Sequence, residues 1–338
     1  MEWFLLTKDI RRADMQTEMS RRQLLGVTAG AAACGLGGQS RSFLANERAQ
    51  FREKEIVRSG MKLSLSVRVA ETPGIKDKSA MAMSELITLA GDHGYGALCL
   101  RASQAGIHTD TETIERMSSE IRESGLTVSM VTGDLAVPRN NDQGPDGLRN
   151  ITPYLDLCDA FGADLIRVCM KTDEDIAWAR RASDEALERS IRLAHQAHTR
   201  SLFETVSGSL RVLSAVGRKN FGMIYEPANW MIAGQDYGRR TISRLRPFLF
   251  NVYVQNCRLH RDGRATANTW NRGSVSFDHI GLWDEGGVDF QEVFSGLQSI
   301  GYEGCVTVHQ AFAGVMPVEV AVKKSAAFLR PLTVAGGE

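Results

Sequence analysis

The sequence predicts an α/β fold, a (β/α)8 TIM barrel in a single domain, and three observations predict it. From Lys62 onward, short runs rich in β-branched and other apolar residues alternate with helix-length segments whose apolar positions recur every three to four residues. Eight such runs occur without hairpin turn signals between them, which implies parallel strands joined by helices. Lys62 through Gln310 spans 249 residues, close to the ~250 that eight βα units occupy. A doubly wound open sheet would carry a Gly-rich phosphate turn after its first strand, and Ala70-Glu71-Thr72-Pro73-Gly74 is not one.

The elements follow in order. Residues 1–45 read as a leader and export signal. Ser20-Arg21-Arg22-Gln23-Leu24-Leu25-Gly26 sets paired arginines before a moderately apolar, Ala/Gly-rich stretch from Leu24 to Gly38, the layout of a twin-arginine signal. That stretch is too short and too weakly apolar to span a membrane. It predicts an exported, periplasmic protein that engages the twin-arginine export machinery. Residues 46–61 are a polar linker, and 62–330 make the catalytic barrel.

Strands are expected at Leu63 to Val69, Ala97 to Leu100, Thr127 to Val131, Leu165 to Cys169, Leu202 to Phe203, Met223 to Tyr225, Val252 to Val254 and Val306 to Val308. Helices are expected at Ser79 to His93, Thr111 to Ser124, Gly147 to Phe161, Asp173 to His198, Leu210 to Val216, Val288 to Ile300 and Val318 to Leu329, with a tail at 331–338. The long connection from Cys257 to Gly287, holding Trp270 and Trp283, reads as a lid or binding loop.

Composition narrows the function classes. With 43% hydrophobic and 24% charged residues the chain is an ordinary globular protein, so disorder and fibrous structure are excluded. Forty basic against forty acidic side chains give no electrostatic reason to expect nucleic acid as a partner. The six cysteines show no metal-ligand or disulfide spacing and read as small buried hydrophobes.

In this fold the C-terminal strand ends carry the chemistry. Polar groups follow every apolar run: Glu71, Arg101, Thr132 with Asp134, Arg167 with Lys171, Glu204, Glu226, Gln255 with Asn256, and His309 with Gln310. Glu71, Asp134 and Lys171 read as solvated strand ends. Glu204, Glu226 and His309 each close an apolar run beside polar neighbours, and converging carboxylates with an imidazole require a cation or a shared proton. His195 and His198, at helical spacing ahead of the fifth run, read as packing or surface residues on the opposite face.

The Leu202 to Thr205 run, the Tyr225-Glu226-Pro227-Ala228-Asn229 turn, Val252-Tyr253-Val254-Gln255-Asn256, and Asp284-Glu285-Gly286-Gly287-Val288-Asp289-Phe290 ahead of Gly301-Tyr302-Glu303-Gly304 resemble the xylose isomerase-like TIM-barrel family, of the sugar phosphate isomerase/epimerase type. The resemblance covers roughly residues 62 to 330. It implies one divalent cation, Mg2+ or Mn2+ in preference to Zn2+, held by a Glu ending the fifth strand, an Asp ending the sixth, a seventh-strand His and an eighth-strand Glu. Glu204 matches the first position, Glu226 replaces the Asp, Tyr253 stands where the His is expected with Gln255 as substitute, and His309 replaces the last Glu.

The resemblance further implies an isomerase or epimerase acting on a small-molecule carbohydrate through metal-assisted enediolate proton transfer, with Glu204 and His309 as catalytic pair. Arg101, His108, Arg167, Asn229, Asn256, Arg258 and Gln310 are the expected substrate contacts. A metal-dependent lyase or hydrolase of oxidised sugars or glycosides, and a non-catalytic sugar-binding barrel, are the competing readings.

Overall fold

The computed structural model describes residues 60–72, 75–132, 142–312 and 316–334. The expected export signal, nearly all of the linker, and Asp134 lie outside the described residues. Eight parallel strands close into a barrel: β1 (Lys62–Ser66), β4 (Ala97–Leu100), β5 (Thr127–Val131), β6 (Leu165–Val168), β7 (Arg192–Gln196), β8 (Phe221–Tyr225), β9 (Leu249–Val254) and β13 (Cys305–Val308). The ring closes at β1, which pairs with β13 through Leu63 and Val306 and with β4 through Leu65 and Leu98. β2 (Glu71–Thr72) and β3 (Ile75–Ser79) form a small antiparallel pair outside the ring.

Helices cover the outside, so the strands are buried on both faces and read as continuous apolar runs. Side chains inside the ring form their own cluster of Cys99, Met130, Leu165, Ala194, Ile224 and Tyr253, separate from the larger core between strands and helices. Successive side chains on a strand alternate between faces. The residues two positions beyond that cluster, Arg101, Arg167, Gln196, Glu226 and Gln255, therefore share its side and sit one layer higher, at the C-terminal mouth. Thr307 pairs with Tyr253, which puts His309 in the same layer.

The fifth strand is not where the sequence predicts it. It is Arg192–Gln196, the expected helix Asp173 to His198 stops at Glu188, and Leu202 to Phe203 is a turn. The physical reason is a helix end without glycine or proline to mark it. Ser190 takes the left-handed conformation at φ 60, and Ile191 turns back to donate to the Ala186 carbonyl at 2.9 Å. His195 thus belongs to a barrel strand and His198 follows its upper end, not a helix on the opposite face.

Smaller differences have similar causes. The expected first strand breaks at Ser66 into a 3-10 turn, Val67–Ala70, started by the Ser66 hydroxyl accepting from the Arg68 amide at 3.3 Å. The Gly147 to Phe161 segment is two helices, Asp146–Arg149 and Thr152–Ala160. The last helix runs through Pro331 to Thr333. The long seventh connection is folded into a three-stranded antiparallel sheet of β10 (Cys257–Leu259), β11 (Ala265–Thr269) and β12 (Gly273–His279). Its return to the barrel needs Gly287, where a Cβ would lie 2.0 Å from the Asn256 side-chain oxygen.

A residue other than glycine in the left-handed region costs about 1–2 kcal/mol. Ser190→Gly should therefore leave the fold intact and raise stability by up to about 1 kcal/mol in urea unfolding. A clear loss of stability would show that Ser190 is held by contacts the backbone does not reveal.

Candidate functional site

Glu226 is the centre of the mouth. It caps the short helix Pro227–Ile232 directly after β8 and is fully buried. The Gln196 Nε2 amide donates to Glu226 Oε2 and the Gln255 Nε2 amide donates to Oε1. Burial pushes the Glu226 carboxyl up to about 7, against the opposing pull of these amides and of the Arg68 and Arg167 guanidiniums. The oxygen of the same Gln196 amide, Oε1, is buried with no hydrogen-bond partner among the described residues.

Three arginines belong to the same mouth, and two of them, Arg68 and Arg167, act electrostatically on this carboxylate. Arg68, in the 3-10 turn after β1, donates from Nη1 to the His309 carbonyl at 3.1 Å. Arg101 ends β4 and grips Glu71 with two hydrogen bonds, Nε to Oε1 and Nη2 to Oε2, while Ser103 also donates to Glu71 at 3.2 Å. Glu71, expected as a solvated end, is therefore buried in an ion pair. Arg167 lies on β6 and is buried.

His309 completes the layer. Its ring stacks on Tyr253 with centroids 3.7 Å apart, and Nδ1 meets the Ser66 hydroxyl at 3.0 Å. Burial, then Arg68, Arg101 and Arg167, hold its pKa well below the usual imidazole value, so it is neutral.

The expected cation ligands Glu204, Glu226, Gln255 and His309 do not make a metal site. Both Glu226 oxygens already accept amide protons, the flanking side chains present N–H groups, and the surrounding guanidiniums repel a cation. Among the described residues, no group of three or more His, Cys, Asp or Glu is assembled to hold a metal ion.

Glu204 has a different task from the one expected. It lies in the loop beyond β7, and its carboxylate accepts from the backbone N–H groups of Arg200 at 2.6 Å, Trp270 at 2.8 and 2.9 Å, and Asn271 at 2.8 Å. Trp270 and Asn271 form the turn between β11 and β12, so Glu204 latches the added sheet to the barrel. Asn271 Nδ2 to the Ala233 carbonyl at 2.7 Å and Arg272 Nη1 to the Ile232 carbonyl at 3.0 Å reinforce that contact.

Among the expected substrate contacts, the structure brings Arg101 and Arg167 into the mouth. Asn229 donates to the Ala197 carbonyl at 2.9 Å. Asn256 braces the seventh connection, donating to the Gly281 and Asp284 carbonyls and accepting from the Val288 amide. Gln310 accepts from the Asn256 amide and donates to the Ile280 carbonyl at 2.7 Å. Arg258 is exposed and donates to the Glu285 carbonyl, and His108 is exposed in the second loop. Sequence reasoning missed Gln196 and Arg68. The alternation that leads from Ala194 to Gln196 was readable once β7 is in place, whereas Arg68 looked like mid-strand.

His195, stacked on Phe203 at 4.3 Å, and His198 are both held down to about 3, chiefly by burial. They resist protonation only while folded, so their share of stability is lost as pH falls from about 6.5 towards 3. Glu226 has the opposite sign, because its raised pKa means that the folded state holds the proton more tightly. Its share is complete below the ordinary carboxylate range and is lost as pH rises to about 7. Measured against Glu226→Gln, the wild-type chain should lose about 3 kcal/mol between pH 4.5 and 8 in urea unfolding. A pH-independent difference would show that this carboxyl titrates normally. Glu204→Ala leaves three N–H groups without their acceptor and should cost roughly 2 kcal/mol or more. Hydrogen exchange should quicken first at Trp270 and Asn271, and unchanged protection there would refute the latch.

No curated protein matches the chain in sequence. Solved structures share its fold at low identity. The probable 3-DHS dehydratase AsbF of Bacillus anthracis aligns with 17% identity and a TM-score of 0.61 over 80% of this chain and 99% of that one. A xylose isomerase domain protein of Planctomyces limnophilus gives 11% and 0.61 over 81% and 96%. The D-allulose 3-epimerase of Methylomonas sp. gives 16% and 0.57 over 81% and 98%. A family model described as xylose isomerase-like TIM barrel matches residues 87–332. With most of the sequence under that model and the closed ring of eight strands it describes, the chain belongs to the xylose isomerase-like TIM barrel family.

Proposed function

We propose that this protein is an isomerase or epimerase acting on a sugar or sugar derivative, moving a proton at the carbon beside a carbonyl group. The observation that carries the reading is Glu226, one carboxylate at the barrel mouth clasped by Gln196 and Gln255. With its pKa near 7 it is suited to take a proton and return it at neutral pH. Arg68 and Arg167 act electrostatically on this carboxylate and lie where they would stabilise the oxygen of an enediolate. Neutral His309 is the second proton carrier, and the unpartnered Gln196 oxygen offers an acceptor for a substrate hydroxyl. The fold shared with D-allulose 3-epimerase, solved in complex with D-allulose, supports a small carbohydrate as ligand.

A sugar-binding barrel without turnover is the second reading. It is favoured by Gln196 ending the fifth strand, where the family resemblance calls for a second acid. The two differ in exchange of carbon-bound hydrogen. Incubation with a panel of ketoses, aldoses and sugar acids in D2O should give deuterium incorporation by NMR, lowered about 100-fold or more in Glu226→Gln. Sugar binding without incorporation by the wild-type chain would establish the binding barrel, and a dehydrated product would establish a lyase.

A further inference from the structure

We infer that the β10–β12 sheet supplies a wall of the ligand site, and that His279 is the residue on it that reads one hydroxyl of the ligand through its ring nitrogen Nδ1. The inference rests on the mouth being the ligand site and deepens that reading by naming a residue that sets its specificity.

The backbone fixes where His279 stands. Ile280, next in the chain, donates to the Asn256 carbonyl at 3.3 Å, and its own carbonyl accepts from the Gln310 side chain at 2.7 Å. Asn256 follows β9 and Gln310 follows β13, and these strands are neighbours in the ring. His279 is thereby pinned over two adjoining strand ends, whose Gln255 and His309 belong to the mouth.

Pairing within the added sheet fixes which way the ring faces. Residues directly opposite in an antiparallel pair lie on the same face, and the face alternates along each strand. His279 is opposite Cys257, and Phe277 is opposite Leu259. Cys257 and Phe277 are buried, whereas Arg258, opposite Asp278 on the other face, is exposed. His279 therefore shares the covered side, its ring edge-on to Phe277 with centroids 5.1 Å apart. Glu226 acts electrostatically on the Cys257 thiol, and Arg68 acts on His279 as it does on Glu226 and His309, so this side of the sheet borders the mouth.

What His279 offers there follows from its ring. Nδ1 is buried and has no hydrogen-bond partner among the described residues, a costly state for a polar atom. Burial and then Arg68, against the pull of Asp278, lower the pKa of the imidazole, so it is neutral and carries one N–H and one lone pair. A hydroxyl both gives and takes a hydrogen bond and satisfies Nδ1 in either tautomer. The unpartnered Gln196 oxygen lies in the ring layer, so strand ends and added sheet each leave one polar atom open to a polyhydroxylated ligand.

The test is calorimetric titration of the full-length chain with D-allulose, D-fructose and D-glucose, then with the monodeoxy analogues of whichever binds most tightly. His279→Phe should weaken that sugar about five- to tenfold. One monodeoxy analogue should lose as much on the wild-type chain and lose nothing further on His279→Phe, a coupling that a merely structural role would not produce. His279→Asn, whose amide places a polar atom near the Nδ1 position, should restore most of the affinity. His279→Gln, which reaches towards the Nε2 position instead, should behave like His279→Phe and decides the matter if hydrogen exchange at Trp270 and Asn271 shows that the phenylalanine loosens the sheet. Unchanged affinity in these two variants, additive losses for every monodeoxy analogue, or no binding of any of the three sugars would each overturn the inference. A His279-dependent hydroxyl preference without deuterium exchange leaves the inference standing and removes the isomerase reading. Glu226-dependent exchange with affinity indifferent to His279 does the reverse.

Discussion

Inside a closed ring of eight parallel strands there is room for side chains of one parity only, and this constraint fixes nearly everything about the site. Once Cys99, Met130, Leu165, Ala194, Ile224 and Tyr253 fill the interior, the residues two positions further must crowd together above them. A polar group placed there loses water on all sides and must find partners among its ring neighbours. The resulting network is a carboxylate between two amides, an arginine on a carboxylate, and an imidazole flat on a phenol ring. None of these groups is adjacent to its partner in sequence.

Much of the fold was legible in advance. The βα rhythm, seven of the eight strands and the span of the barrel follow from apolar periodicity, because strands buried on both faces must be continuous apolar runs. The failure at β7 is instructive. Arg192–Gln196 is short, contains an arginine and a histidine, and directly follows a helix whose end depends on Ser190 adopting a conformation usually left to glycine. That single misplacement moved the whole fifth position of the site: it promoted Glu204 to a strand end and hid Gln196.

The site itself was half legible. Arg101, Arg167, Glu226, Gln255 and His309 were found from position alone, since strand ends in this architecture converge. What position could not give was partnership. Glu204 and Glu71 are both single acids after apolar runs, yet one is consumed by backbone N–H groups of a distant turn and the other by Arg101. Such pairings depend on chain segments 30 to 67 residues away and on the path of the β10–β12 sheet. A divalent-ion ligand set was beyond reach for the same reason, because it is a statement about which atoms are left unoccupied.

The filled interior has one more consequence. The cluster of Cys99, Met130, Leu165, Ala194, Ile224 and Tyr253 fills the inside of the ring below the Glu226 layer. A ligand of the proposed site would then come and go on the Glu226 side alone, on the face where Glu204 fastens the added sheet. Uptake and release would share one path, and a bound molecule would block its successor until it had gone.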